Sequence, residues 1–227
     1  MPSWNIHTAH VERLASELDL PALGIADFDA FLFGNYAPDV YVGYMVTDAS
    51  RKIEYRETHL AKPDFIPKPN ASLFYERYVA GKPACELTLG AWMHLLCDHY
   101  YNKGTIEFIA RIGVQPGEQT RIRKQGDFDL FGRTLEISHV PRETEELLRQ
   151  AASFEQYAID APDVRKSIAV ARGIVDRNTA EHVEGTPDYS LFGADFFQSV
   201  FDEVDEVLRE ALTLHASGGD PARFGRP

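Results

Sequence analysis

Three observations predict a mostly α-helical protein. Five stretches carry apolar residues at helical spacing, none sustains the period-two alternation of a half-buried strand, and no internal repeat or low-complexity tract breaks the pattern. Length and composition agree, since 227 residues with 44% apolar and 26% charged side chains suit one globular unit, expected to span residues 1–227. Within it the expected architecture is a multi-helix bundle: a first half over 1–102, a loop-rich insertion over 104–140, and C-terminal helices over 141–215.

The first helix begins after Ser3, a good N-cap, and sets His7, Val11, Leu14 and Leu18 on one stripe before Pro21 and Gly24 end it. That stripe faces the core, so His7 points inward. His10 shares the opposite face with Ser3, Arg13 and Glu17 and is expected to be solvated. Residues 28–36 form a short apolar segment that runs into Ala37, Pro38 and Asp39, where the residue before proline is pushed out of the helical region. Its aromatic residues Phe28, Phe31, Phe33 and Tyr36, with Tyr100 and Tyr101 later, read as core before they read as the lining of a lipid-like pocket.

Pro63, Pro67 and Pro69 forbid a regular element over 62–70, which leaves His59 just before an irregular loop. Residues 87–101 are apolar almost all round, with Leu89, Trp92, Met93, Leu95 and Leu96, the signature of a helix buried at the centre of a bundle. His94 and Asp98 project from it. Beyond residue 104, Gly113, Gly117, Gly126 and Gly132 suggest loops, and the basic run Arg121, Arg123 and Lys124 reads as a solvated face ahead of a phosphate contact. Helices resume over 141–158, 162–178 and 189–215, the last carrying Phe196, Val200, Val204, Val207, Ala211 and Leu214 as a stripe, and the tail after Gly218 is expected to be loose.

Charge and cysteine content narrow the function. A net charge of −12 argues against a nucleic-acid partner and against anionic membrane surfaces, unless a metal or local basic patch reverses the field. No run approaches the roughly 18 apolar residues of a membrane span, and the first twenty residues lack the apolar core of a signal peptide, so no integral membrane segment and a cytoplasmic location are expected. Cys85 and Cys97 are read as buried, reduced thiols. No GxSxG motif supports a covalent mechanism, and Cys97 turns away from Asp98 on its helix.

The chemistry is carried by five residues. His94 and Asp98 stand four apart, which places an imidazole and a carboxylate on one helical face with Cβ atoms about 5 to 6 Å apart. A carboxylate inside an apolar helix needs a cation, a hydrogen-bond network or a metal. Structural hydrogen bonding between the two is the simpler reading of the pair alone. Read with His7, Asp39 and His59, however, the pair completes three histidines and two carboxylates, a donor set suited to zinc or a similar divalent ion. His99 points about 100° away from Asp98 around the helix and is left out of the set, as are His139, His182 and His215, which are expected to be exposed.

The segments MPSWNIHTAH, FLFGNYAPDV, THLA and GAWMHLLCDHYYN carry these residues in the order His, Asp, His, HxxxD, and over residues 1–102 the chain resembles the zinc-dependent phospholipase C-like family. The resemblance implies a bundle of the phospholipase C and P1 nuclease type. It also implies one metal surrounded by Asp39, His59, His94 and Asp98, with Asp98 bridging to a second ion bound by His7. Asp39 would double as the general base for a water attacking phosphorus, and the substrate would be a small phosphoester or a lipid-like one. Secreted family members ligate metal through a processed N-terminal Trp, whereas Trp4 lies three residues before His7; the family's later His and HxxxE ligands have no counterpart, so one or two ions are expected and not three. The competing expectations are a non-catalytic helical protein with a structural metal or polar core network, and a phosphohydrolase of nucleotides or phosphomonoesters, which lacks here the His-Asp dipeptide of the helical enzymes of that kind.

Overall fold

Helix formation begins where Ser3, extended at φ −91° and ψ 169°, releases the chain into α1 (Trp4–Glu17). In this computed structural model, which describes residues 2–226, eight more helices follow, and the described residues contain no strand. The ends of the expected 1–227 unit, including the first residue of MPSWNIHTAH, lie outside the described residues. The mostly α expectation holds. No helix among the described residues is long and apolar enough to cross a membrane.

The Asp27 side chain accepts from the Ala30 amide and starts α2 (Phe28–Gly34), which ends at Asn35 and passes through a single 3₁₀ turn (Ala37–Asp39). A one-turn helix, α3 (Tyr55–Thr58), precedes His59, and Asn70 caps α4 (Ala71–Tyr78) by accepting from the Leu73 amide. The central α5 (Glu86–Arg111) is 26 residues long, about 39 Å. Then follow α6 (Glu118–Thr134), α7 (Glu145–Ala152), α8 (Ala161–Ala180) and α9 (Ala194–Ala216). Helix α5 touches α2, α4, α7 and α9, so most of the core is organised on it.

The tightest crossing is between α2 and α5. A Cβ on Gly90 would overlap the Phe31 carbonyl oxygen, and one on Gly34 would overlap the Leu87 carbonyl, so the two backbones are in direct contact. Only glycine at both positions permits this approach.

Three expectations are corrected. Residues 104–140 are not a loop-rich insertion: α5 runs ten residues beyond Tyr101, and α6 fills most of the remainder. Two glycines there serve packing, not turns. A Cβ on Gly132 would collide with the Asn5 side chain and one on Gly104 would press on Val200, whereas Gly113, at φ +68°, does end a helix. The basic run is not a uniform solvated face, because Arg121 pairs with exposed Glu118 and Arg123 donates to the Ser190 carbonyl while Lys124 is buried. Finally, the tail after Gly218 is packed: Ala222 and Phe224 are buried, Ser72 donates from its hydroxyl to the Ala222 carbonyl at 2.8 Å, and Gly225 lies against Ala71 and Leu96.

Replacing Gly90 with alanine forces the α2–α5 contact open. The expected result is a loss of about 3 kcal/mol in unfolding free energy, measured by urea denaturation of metal-free protein.

A buried histidine and aspartate centre

The five residues singled out in the sequence meet in one place. His7 comes from α1, Asp39 from the 3₁₀ turn after α2, His59 from the end of α3, and His94 and Asp98 from α5. All five are buried, with Asp39 the most accessible at 5%. Two groups of three, His7 with His94 and Asp98, and Asp39 with His59 and His94, each have donor atoms within 4.8 Å of one another.

Hydrogen bonds made away from the centre set the imidazole tautomers. Nδ1 of His94 lies 2.8 Å from the Asn35 carbonyl, which can only accept, so the hydrogen is on Nδ1 and Nε2 carries a lone pair. Nδ1 of His59 faces the Tyr55 carbonyl at 3.2 Å and the Thr58 hydroxyl at 2.7 Å, giving the same tautomer. The two Nε2 atoms then confront each other at 3.1 Å. Around them stand Asp98 Oδ2, at 3.5 Å from His59 and 3.8 Å from His94, and both Asp39 oxygens, Oδ1 at 3.7 Å from His59 and Oδ2 at 4.0 Å from His94. Acceptor therefore faces acceptor with no hydrogen between.

Asp98 looks two ways. Its Oδ1 is turned to His7 Nε2 at 3.4 Å, and these two atoms, with His7 Nδ1, are buried without a hydrogen-bond partner. The His7 ring stacks on that of His94, with centroids 4.1 Å apart. The orphaned Asp98 Oδ1 and His7 Nε2 and the confronting lone pairs are what a bound divalent cation satisfies, and a histidine that donates Nδ1–H to a carbonyl, as His59 and His94 do, is the usual ligand form. His59, His94, Asp39 and Asp98 fit one ion; His7 and Asp98 Oδ1 supply two donors toward another.

Burial pushes the His7 imidazole down to about 3, assisted by His94, and drives His59 well below the ordinary range, so both rings are neutral bases at neutral pH. Burial and the charge of Asp98 raise the Asp39 carboxyl to about 6. Burial alone would raise Asp98 too, but the three imidazoles that close on it, His7 nearest, outweigh it and hold the carboxyl low and ionised.

Sequence reading missed the residues that aim the carboxylates. Trp4 donates from Nε1 to Asp39 Oδ2 at 3.1 Å while stacking on Tyr36, and Tyr55 donates its hydroxyl to Asp98 Oδ2 at 3.2 Å while stacking on His59. Trp4 thus reaches the centre as a hydrogen-bond donor. Its position so close to His7 was the only signal available; Asn35 and Tyr55 left none.

His10 is corrected. It is 1% exposed, its Nδ1 is 2.6 Å from Asp205 and its Nε2 is 3.0 Å from the Tyr101 hydroxyl, because α9 covers the face of α1 taken as solvated. His99 stays outside the centre, but buried, with Nδ1 2.8 Å from the Pro69 carbonyl. His139 and His182 are exposed as expected, whereas His215 is half-buried beside Tyr75 and Trp92. Cys97 is a buried free thiol and Cys85 a free but only half-buried one, since it caps α5 from outside. Phe31, Phe33, Tyr36 and Tyr101 are core, and Phe28 and Tyr100 pack at its edge.

The raised Asp39 carboxyl predicts a pH effect on stability. A group with a folded pKa above its unfolded value of 3.8 contributes stability that is full below that value and lost as pH rises through about 6. In chelator-treated protein, Asp39→Asn is therefore expected to be the more stable form at pH 8 by about 3 kcal/mol and to lose this advantage by pH 4, as read by denaturation at the two pH values. No family model, curated protein or solved structure matches the chain.

Proposed function

We propose that the protein is a divalent-metal-dependent hydrolase of phosphoesters, of the phospholipase C-like kind that the first 102 residues resemble. The observation that supports this reading is the confrontation of His59 Nε2 and His94 Nε2 at 3.1 Å inside a ring of carboxylate oxygens. Asp39, His59, His94 and Asp98 hold the ion, and His7 with Asp98 Oδ1 is the place of a second. Zinc is the ion that best suits this nitrogen and oxygen donor set. When bound, it polarises the phosphoryl oxygen and lowers the pKa of a coordinated water to about 7.

The chain's own residues divide the remaining work. Trp4 anchors Asp39 Oδ2 and leaves Oδ1 turned to the centre, where the carboxylate takes the proton of the attacking water. The water oxygen bonds to phosphorus as the ester P–O bond breaks, and the proton held on Asp39 passes to the departing alkoxide. Tyr55 keeps Asp98 turned so that its two oxygens face different histidines.

Burial of all five side chains favours a second reading, a structural metal in a non-catalytic helical protein. The two differ in the coordination shell, since a catalytic zinc keeps one position for water or substrate and a structural one is closed by protein.

Purified wild type is expected to carry one or two equivalents of zinc by elemental mass spectrometry, and His94→Ala and Asp98→Ala to carry less than a tenth of that. Unchanged metal content in both variants would sink the metal reading. Cobalt-substituted protein then separates catalytic from structural: added phosphate shifts the visible spectrum of an open site and leaves that of a closed site unmoved.

A further inference from the structure

Helix α5 is apolar almost all round, yet His94, Asp98, Asn102 and Thr105 follow one another at spacings of four, four and three along one face, each no more than 1% exposed. Two of them belong to the metal centre. The other two carry the polar stripe one and two turns further, where nothing in the proposed reaction yet uses them. Thr105 Oγ1 is buried without a hydrogen-bond partner, although a threonine inside a helix has the carbonyl four residues back within reach.

Facing Asn102 is Lys124 of α6, the one lysine or arginine buried among the described residues. Its Nζ lies 3.4 Å from Asn102 Oδ1, a long contact for an ammonium with three hydrogens to donate, and 5.5 Å from the centroid of the Phe128 ring. Asn102 is itself fixed by donating from Nδ2 to the Pro67 carbonyl at 3.0 Å, so it cannot turn to serve Lys124 better. Among the described side chains Asn102 is its one hydrogen-bond acceptor, and burying an ammonium is costly. Burial pushes the Lys124 ammonium below its ordinary pKa; Asn102, its partner, stands one helical turn beyond Asp98.

We propose that Lys124 is the receptor for the anionic phosphoryl oxygens of the substrate, with Asn102 and Thr105 lining the same stripe beside the metal centre. The assignment rests on the phosphoester reading above and names the residue of this chain that selects an anion over a neutral ester. The ammonium donates to a phosphoryl oxygen, and the Thr105 hydroxyl, three residues along the stripe from Asn102 and without a partner of its own, offers a second donor. It also answers the overall charge of −12, because substrate recognition is assigned to one buried cation and not to the surface.

The test is titration of zinc-loaded protein with inorganic phosphate by calorimetry, comparing wild type with Lys124→Met, Lys124→Arg and Thr105→Val, with zinc content measured on every sample. Methionine matches the aliphatic stem and removes a buried charge, so the variant is expected to melt no lower than wild type. Phosphate affinity is expected to fall at least about tenfold in Lys124→Met and only a few-fold in Lys124→Arg and Thr105→Val, with zinc retained throughout. Equal affinity in wild type and Lys124→Met at equal zinc content overturns the proposal while leaving the metal reading intact, and so does wild type that holds zinc but binds no phosphate. Lys124-dependent phosphate binding by wild type that takes up no zinc upholds the anion receptor and overturns the metal reading instead.

Discussion

The contact between the α2 and α5 backbones at Gly34 and Gly90 is the constraint on which the rest of the molecule depends. One turn beyond Gly90, His94 donates Nδ1–H to the carbonyl of Asn35, the residue that follows Gly34. That bond exists only because the two helices touch without side chains between them. It selects the His94 tautomer and aims Nε2 at His59; the 3₁₀ turn that immediately follows delivers Asp39 to the same point. A side chain of any size at either glycine would move the carbonyl from under the imidazole and the aspartate with it. Packing and chemistry are thus decided by the same few atoms.

The centre so built is costly without an ion. Five ionisable groups are withdrawn from water, two imidazole lone pairs oppose each other, and one oxygen of Asp98 and both nitrogens of His7 lack hydrogen bonds. Among the described residues two side-chain donors relieve the carboxylates, Trp4 for Asp39 and Tyr55 for Asp98, and each offers a single hydrogen. A cation at the centre would turn the opposed lone pairs and the orphaned Asp98 oxygen into attractive contacts, so its binding energy would add to folding stability. The proline-rich segment and the buried His99 support the site from behind: the Pro67 and Pro69 carbonyls accept from Asn102 and His99 on α5 and hold the loop against the helix that carries two of the proposed ligands.

The sequence shows the mostly α class and the helix carrying His94 and Asp98 for one reason, that an apolar helix interrupted by a histidine and an acid four residues apart has a polar site inside. His7 is legible from its apolar stripe. Asp39 and His59 lie in irregular segments where periodicity carries no information, and they came to attention through order and resemblance. Asn35 acts through its backbone carbonyl, to which its side chain gives no clue. His10 was misread because amphipathicity of one helix in isolation cannot reveal that α9 packs on its second face. The glycines of residues 104–140 were misread because a glycine that admits a neighbouring helix looks the same in sequence as one that turns the chain, and only Gly113 among those discussed has the positive φ of a turn.

The proposed ligands also differ in how firmly the fold holds them. His7, His94 and Asp98 sit within helices of 14 and 26 residues, their backbones tied by consecutive helical hydrogen bonds. Asp39 and His59 sit on a single 3₁₀ turn and at the end of a four-residue helix, and Leu60, next to His59, has φ +51°, a backbone conformation that a leucine adopts at a cost. Local opening draws on the least bonded elements first. Movement of residues 39–60 would therefore uncover one side of the centre while His7, His94 and Asp98 on the long helices keep their places. This asymmetry suits a centre that must be buried to hold a neutral histidine and a proton-accepting aspartate, yet reachable by a water and an ester. In a closed structural site no such division of rigidity is required, because every ligand does the same work.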